Sequence, residues 1–151
     1  MKAMKRLLVL VGVLILLGVA GCATNGYYWT PLPEPGIISA VKIISPDPDV
    51  PPQIAAYSGI WEGTWDNERN VTIIIEQIKP PEVIAIYSYG PIFRSKGGWR
   101  RVTGRVEGNS IVLQMTARVT LTMTGKNVAH AEWRMEGGRL LYAILSRKSK
   151  N

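Results

Sequence analysis

Residues 119–124 read Val-Thr-Leu-Thr-Met-Thr, so apolar side chains alternate strictly with hydroxyl side chains. Successive side chains of a β-strand point to opposite faces, so this period of two places one set in an interior and the other in water. Residues 128–135 show the same alternation, with Ala129, Ala131, Trp133 and Met135 in one set. The two segments therefore predict strands of a sheet that has one buried and one wet face.

Outward from these segments, the chain from Gly59 onward consists of short β-branched runs separated by turn residues such as Pro80-Pro81. We count eight runs, at residues 60–66, 71–79, 83–90, 100–107, 110–116, 118–125, 128–136 and 139–147. Connections this short join only neighbouring antiparallel strands, and closure leaves no strand edge unpaired. The pattern predicts an all-β fold, a small eight-stranded antiparallel up-and-down barrel, in a domain of residues 55–151.

The N-terminus carries the features of an exported chain. Residues 1–6 supply positive charge, and the apolar run at 7–20 has the length of a signal-peptide core. The run ends in Val19-Ala20-Gly21-Cys22, which resembles the bacterial lipobox. This resemblance implies that residues 1–21 are a signal peptide removed by the lipoprotein signal peptidase, and that the Cys22 sulfur carries diacylglycerol. The alternative is an uncleaved signal anchor with an incidental cysteine.

Lipidation at Cys22 would hold the mature chain at a membrane, because several acyl chains make release negligible. Ala23 follows the cysteine where an aspartate marks inner-membrane retention in enterobacterial lipoproteins, so the sequence favours the periplasmic face of the outer membrane. Residues 22–54 are rich in proline, which blocks helices and sheets and favours extended chain. We interpret this segment as a semi-rigid tether, in which the apolar residues 37–44 are a candidate strand docked on the barrel.

The two ends of the predicted barrel carry a further pattern. Gly59-Ile60-Trp61 opens the first run, and Arg147 ends the last. This pattern resembles the calycin arrangement of lipocalins and fatty-acid-binding proteins, in which a Gly-x-Trp tryptophan packs under an arginine of the terminal strand. The resemblance implies that Gly59, Trp61 and Arg147 close one end of the barrel, partly through a cation–π contact. Residues 61–65, Trp-Glu-Gly-Thr-Trp, are also similar to avidin-like barrels and to small accessory barrels of exported bacterial proteins.

Residue usage argues against an enzyme. Cys22 is the only cysteine, which excludes an intramolecular disulfide and a cysteine-rich metal site. His130 is the only histidine, and neither a Ser-His-Asp set nor a nucleophile-elbow motif accompanies it. Glu62 and Asp66 are the candidate pair for glycosidase chemistry, but paired acids near a turn are usually solvated. We therefore expect no catalytic residue, no cofactor and no metal.

Charge restricts the expected partners. The part of the chain from Cys22 onward has 15 basic and 11 acidic residues, a net charge of +4. Basic residues this dispersed are not typical of a nucleic-acid-binding protein. The strongest basic cluster spans a Gly-rich loop and the strand after it, where arginine forks and a tryptophan suit phosphate, carboxylate, sugar or lipid groups. Its members are Arg94, Lys96, Trp99, Arg100, Arg101 and Arg105.

The sequence supports two functional interpretations of different classes. The leading one is a non-enzymatic binding or accessory barrel on the cell envelope, for a small apolar ligand or an anionic envelope component. Its partners would be a lipid, a glycan or an envelope protein. The alternative is an inhibitor or partner of a periplasmic hydrolase. For the basic cluster itself, the competing interpretation is a loop that its charges keep soluble.

Overall fold

A computed structural model of the protein describes residues 41–149. The predicted signal peptide 1–21, Cys22 and the first part of the predicted tether lie outside the described residues. The described part of the chain contains one short helix, α1 (Pro52–Ala55), followed by strands. These are β1 (Gly59–Trp65), β2 (Asn70–Lys79), β3 (Glu82–Tyr89), β4 (Gly98–Glu107), β5 (Ser110–Gln114), β6 (Ala117–Gly125), β7 (Val128–Met135) and β8 (Leu140–Arg147).

The eight strands form one closed antiparallel barrel in sequence order. Each strand pairs with the next, and β8 returns to β1, where Trp61 lies opposite Arg147. The all-β, eight-stranded up-and-down barrel predicted from the alternating pattern is therefore confirmed. The fourth strand begins at Gly98, two residues before the predicted run, because Gly98 still pairs with Tyr89 of β3.

Side chains from the inward-facing positions fill the interior of the barrel. Trp61 and Trp65 of β1 are almost fully buried, although tryptophan is rarely so in proteins. They pack in one hydrophobic cluster with aliphatic side chains from each of the other seven strands. The interior of an eight-stranded barrel is just wide enough for side chains to fill it. The barrel is therefore held together by a packed core.

One end of the barrel, which we call the capped end, is covered by α1 and its neighbours. Val50, Ile54 and Tyr57 are buried and belong to the same cluster as the strand side chains. Burying such side chains stabilises a fold by about 1.5–3 kcal/mol each. Within the described residues, the core thus begins at Val50, inside the segment 22–54 that the proline content indicated as tether.

The chain before α1 also contacts the barrel wall. The main-chain N–H of Ile44 donates to the main-chain oxygen of Glu76, at 2.8 Å. Glu76 lies at a register shift in β2, where the ladder to β3 is interrupted and this oxygen is free to accept. The described residues 41–44 form no strand, and residues 37–40 of the predicted docked strand lie outside the described part of the chain.

The hydroxyl of Tyr57 joins the cap to two parts of the barrel. It donates to the main-chain oxygen of Asn109 at 2.6 Å and accepts from the main-chain N–H of Met123 at 2.8 Å. Replacing Tyr57 with Phe keeps the buried ring and removes both hydrogen bonds. We expect the free energy of unfolding to fall by about 1–2 kcal/mol, measured by urea denaturation.

The matched control for this change is Tyr142→Phe, because Tyr142 lies exposed on the outer face of β8. We expect the control to change the free energy of unfolding by less than about 0.5 kcal/mol. Equal losses in the two variants would show that the Tyr57 hydroxyl does not join the cap to the barrel.

Candidate functional site

The end of the barrel opposite α1, which we call the distal end, is formed by four connections. They are the β1–β2 turn, the β3–β4 loop, the β5–β6 turn and the β7–β8 turn. The β3–β4 loop, residues 90–97, is the longest of them. Tyr89, Met115 and Trp133 are partly buried and pack against the core at this end. The distal end therefore has an apolar base with a long loop beside it.

The β3–β4 loop presents a phenylalanine to solvent. Ile92 and Ser95 exchange main-chain hydrogen bonds of 2.9 and 2.8 Å, which makes a tight hairpin tip. Phe93 lies at this tip with 86% of its surface exposed and with φ at +43°. A positive φ is unusual for a bulky residue, and such strain is concentrated at functional sites. Phe93 therefore combines two unfavourable features, a strained backbone conformation and an apolar ring exposed to water.

The basic residues of the loop, and Arg100 at the start of β4, have no acidic partner within the described residues. The guanidinium of Arg94 lies 5.3 Å from the centroid of the Phe93 ring. Arg94, Lys96 and Arg100 are exposed, and within residues 41–149 none of them has a carboxylate within 4.0 Å. Trp99, on the outer face of β4, is 43% exposed. The structure therefore brings four of the six predicted cluster residues to the distal end.

Arg101 is a fifth member of the predicted cluster, and it is occupied by an internal carboxylate. Its Nε and Nη2 donate to the two carboxylate oxygens of Glu76, at 2.7 and 3.0 Å. Glu76 is buried, so this bidentate pair compensates a charge that would otherwise be costly. The same contact raises the pKa of Arg101 above its ordinary value. Arg101 is therefore a structural ion-pair partner.

Arg105, the sixth predicted member, lies near the capped end. It lies five positions after Arg100 in β4, a distance of about 17 Å along a strand. Its Nε donates to the Glu107 carboxylate at 2.5 Å, and Arg118 donates to the same carboxylate. The two arginines hold the pKa of Glu107 below its usual range, with the Arg105 hydrogen bond as the largest cause. The structure does not place Arg105 with the cluster.

A tyrosine pair lies beneath the basic loop, and sequence reasoning did not single it out. Tyr87 and Tyr89 are inward-facing residues of β3, with ring centroids 5.9 Å apart. Tyr87 lies directly opposite Arg100 in the β3–β4 register, so both side chains leave the sheet on its inner face. The sequence contained a pattern that predicts this pair. The period of two along β3 places both tyrosines on the same face as Val83 and Ala85.

The three residues expected to close the barrel meet at the capped end. The guanidinium of Arg147 lies over the Trp61 ring, 4.4 Å from its centroid. The indole N–H of Trp61 donates to the main-chain oxygen of Tyr57 at 2.8 Å. Gly59 has φ +131°, and a Cβ there would come within 2.8 Å of the Arg147 Nη1 atom. A glycine is therefore required where the arginine crosses the chain.

The remaining candidates for chemistry line a groove of about 740 Å³ on the outer face of β7, β8 and β1. Glu62, Asp66 and His130 line it together with Tyr142 and Ile144. The Glu62 carboxylate is engaged by Lys148, whose Nζ lies 3.0 Å from it. Across residues 41–149, no group of three or more His, Cys, Asp or Glu side chains is placed to hold a metal ion.

Comparison with known proteins bears on the fold only. The sequence matches no known protein family, and no curated protein matches it significantly. Among solved structures it is similar to a redesigned β-barrel, with 12% sequence identity and a TM-score of 0.51. The similarity covers 64% of this chain and 96% of that one. In the part of the chain that the structure describes, no helix has the length and apolar character needed to cross a membrane.

Proposed function

We propose that this protein is a lipid-anchored envelope protein whose barrel binds an anionic, amphiphilic component of the envelope through its distal end. It acts by binding and not by catalysis. The anchor is Cys22, and the protein faces the periplasm from the outer membrane. Side chains fill the interior of the barrel. We therefore place the binding surface on the outside of the distal end, where a ligand needs no internal cavity.

One observation carries this proposal: the exposed, strained Phe93 is followed in its loop by Arg94 and Lys96, and neither cation has an acidic partner within residues 41–149. An exposed phenylalanine gains about 1.5–3 kcal/mol when it leaves water. Arg94 and Lys96 gain about 1 kcal/mol each beside an anionic lipid surface. The most exposed apolar ring of the barrel and two uncompensated charges therefore favour the same kind of partner, one with an acidic head and an apolar body.

The distribution of ion pairs in the described residues also favours the distal end as the binding surface. Five salt bridges occur within residues 41–149, and they engage Arg101, Arg105, Arg118, Arg134 and Lys148. None of them involves a residue of the β3–β4 loop. The loop cations therefore have no acidic partner among residues 41–149 that an external anion would first have to displace.

We expect the double variant Arg94→Gln/Lys96→Gln to bind anionic vesicles about 30-fold more weakly than the wild-type protein. The factor corresponds to about 2 kcal/mol, the sum for two cations at an anionic surface. The full-length lipoprotein is placed in phosphatidylcholine nanodiscs, so that its own anchor is occupied. Co-sedimentation is measured with vesicles of equal parts phosphatidylcholine and phosphatidylglycerol, and with vesicles of phosphatidylcholine alone.

The matched control is Lys79→Gln/Lys126→Gln, which removes the same charge from the capped end, where both lysines are exposed. This control should bind anionic vesicles as the wild type does. Phe93→Ser tests the apolar part and should weaken binding by about tenfold or more. Equal binding to the two vesicle types, or equal losses in the two charge variants, would contradict the proposal.

A further inference from the structure

A buried cationic atom at the distal end has no partner. Arg69, in the β1–β2 turn, places its guanidinium 5.1 Å from the centroid of the Tyr89 ring. Its Nε is buried and makes no hydrogen bond within the described part of the chain. A buried donor of a charged group that lacks an acceptor costs more free energy than an ordinary unpaired polar group. An acceptor from outside the barrel that bound the Arg69 Nε–H would remove this cost.

The acids nearest in sequence do not supply that acceptor. Asp66 and Glu68 belong to the same turn as Arg69, and both are exposed. Among residues 41–149, no carboxylate lies within 4.0 Å of the Arg69 guanidinium. The main-chain N–H of Asp66 donates to the main-chain oxygen of Tyr142 in β8, which orders the turn without neutralising the arginine. The positive charge of Arg69 therefore remains uncompensated beside the apolar base of the distal end.

A second uncompensated cation shares this position. Arg100 stands opposite Tyr87 on the inner face of the sheet. The Tyr87 ring lies tilted beside the Tyr89 ring, over which the Arg69 guanidinium lies. Burial raises the pKa of the Tyr87 hydroxyl, while a hydrogen bond from Trp65 and the charges of Arg69 and Arg100 act in the opposite direction. The two positive charges thus act in the same direction on the pKa of one hydroxyl.

We propose that Arg69 and Arg100 bind the phosphate-type oxyanion headgroup of an amphiphile above Tyr87, with its apolar part against Tyr89, Met115 and Trp133. Two guanidinium groups suit an oxyanion because each offers parallel N–H donors. The partly buried rings and the methionine suit an alkyl or similar apolar group. This inference rests on the proposed function and adds the place where the acidic head is held.

The test titrates two probes into the full-length lipoprotein in phosphatidylcholine nanodiscs, with empty nanodiscs subtracted. The probes are hexyl phosphate, which carries an apolar tail, and inorganic phosphate, which does not. By isothermal titration calorimetry, we expect hexyl phosphate to bind at least about tenfold more tightly than inorganic phosphate. Arg69→Gln and Arg100→Gln should each weaken hexyl phosphate binding by about tenfold or more, because each removes charge-assisted hydrogen bonds.

The control is Lys126→Gln, which should leave the affinity unchanged. Arg100→Gln keeps the test valid if Arg69→Gln disturbs its turn, because Arg100 is exposed and lies in a different element. Unchanged affinity in Arg100→Gln would overturn the site, and equal affinity for the two probes would overturn the assignment to an amphiphile. If these outcomes occur while Arg94→Gln/Lys96→Gln still loses vesicle binding, the headgroup site fails and the proposed function stands.

Discussion

Replacing Trp61 with alanine is expected to lower the free energy of unfolding by about 3–5 kcal/mol, the range for truncating a large aromatic side chain in a core. Trp61 has no exposed surface and belongs to the central cluster of the barrel. The truncation leaves a cavity beneath Arg147 and removes the indole N–H that donates to Tyr57. Core packing and the attachment of the cap are therefore lost together.

Urea denaturation followed by far-ultraviolet circular dichroism measures this loss, and Trp99→Ala serves as the matched control. Trp99 is 43% exposed on the outer face of β4, so its truncation removes about half as much buried surface and should cost about 2 kcal/mol. A Trp61→Ala protein as stable as the Trp99→Ala protein would show that the tryptophan at the capped end does not support the barrel.

Arg147 and Trp61 are expected to contribute to the free energy of unfolding as a unit. Besides covering the Trp61 ring, it donates from Nη1 to the main-chain oxygen of Ser58 at 2.5 Å, and from Nη2 to the main-chain oxygen of Ala56. Its partial burial lowers the pKa of Arg147 from its ordinary value. Because the two side chains share one site, Trp61→Ala and Arg147→Gln should not be additive. The double variant should be more stable than the sum of the single losses predicts, by about 0.5–3 kcal/mol.

The fold could be predicted because its determinants are local in the sequence. A strand with one buried face shows a period of two, and the segment 119–124 follows this rule, with Val119 and Leu121 fully buried. Short turns then leave few ways to connect such strands. The cap was missed because a proline-rich composition describes backbone preferences only. It does not show that Val50 and Ile54 find an apolar surface to bury.

The candidate site was only partly predictable because ion pairing depends on residues far apart in the chain. Arg101 and Arg100 are neighbours in sequence, yet one meets Glu76 across the sheet and the other has no acidic partner in the described chain. Strand alternation separates them, since consecutive side chains point to opposite faces. Arg69 was overlooked because its role depends on Tyr89, which only the β2–β3 pairing brings close.

The two ends of the barrel use arginine in different ways. At the capped end, Arg147 is held by hydrogen bonds to main-chain oxygens and by the Trp61 ring, so its side chain is part of the structure of the fold. At the distal end, Arg69 and Arg100 have no carboxylate partner within the described residues and stand near the buried Tyr87 and the partly buried Tyr89. Internal partners make an arginine structural, whereas uncompensated arginines gain most from an external anion. Variants at the capped end should therefore change stability first, and variants at the distal end should change binding first.

Replacing Gly63 with alanine is expected to lower the free energy of unfolding by about 3 kcal/mol, the upper part of the usual range for overpacking a core. Gly63 pairs with Leu145 where β1 meets β8, at the seam that closes the barrel. A Cβ at this position would lie 2.3 Å from the main-chain oxygen of Ile144 and 2.8 Å from a Leu145 methyl. A backbone oxygen cannot rotate away as a side chain can, so β8 itself must move.

The direction of the change in the free energy of unfolding distinguishes a steric effect of the added methyl group from its effect on the entropy of the unfolded chain. An alanine normally stabilises a position that it fits, by about 0.4–1 kcal/mol, because it restricts the unfolded chain more than glycine does. Gly125→Ala is the matched control: it lies in a strand, and a Cβ there meets only the Val128 Cβ at 3.9 Å. The control should be neutral or slightly stabilising, whereas Gly63→Ala should also speed hydrogen exchange of the β1 and β8 amides. If Gly63→Ala were as stable as the control, the close approach of Ile144 would not limit the seam.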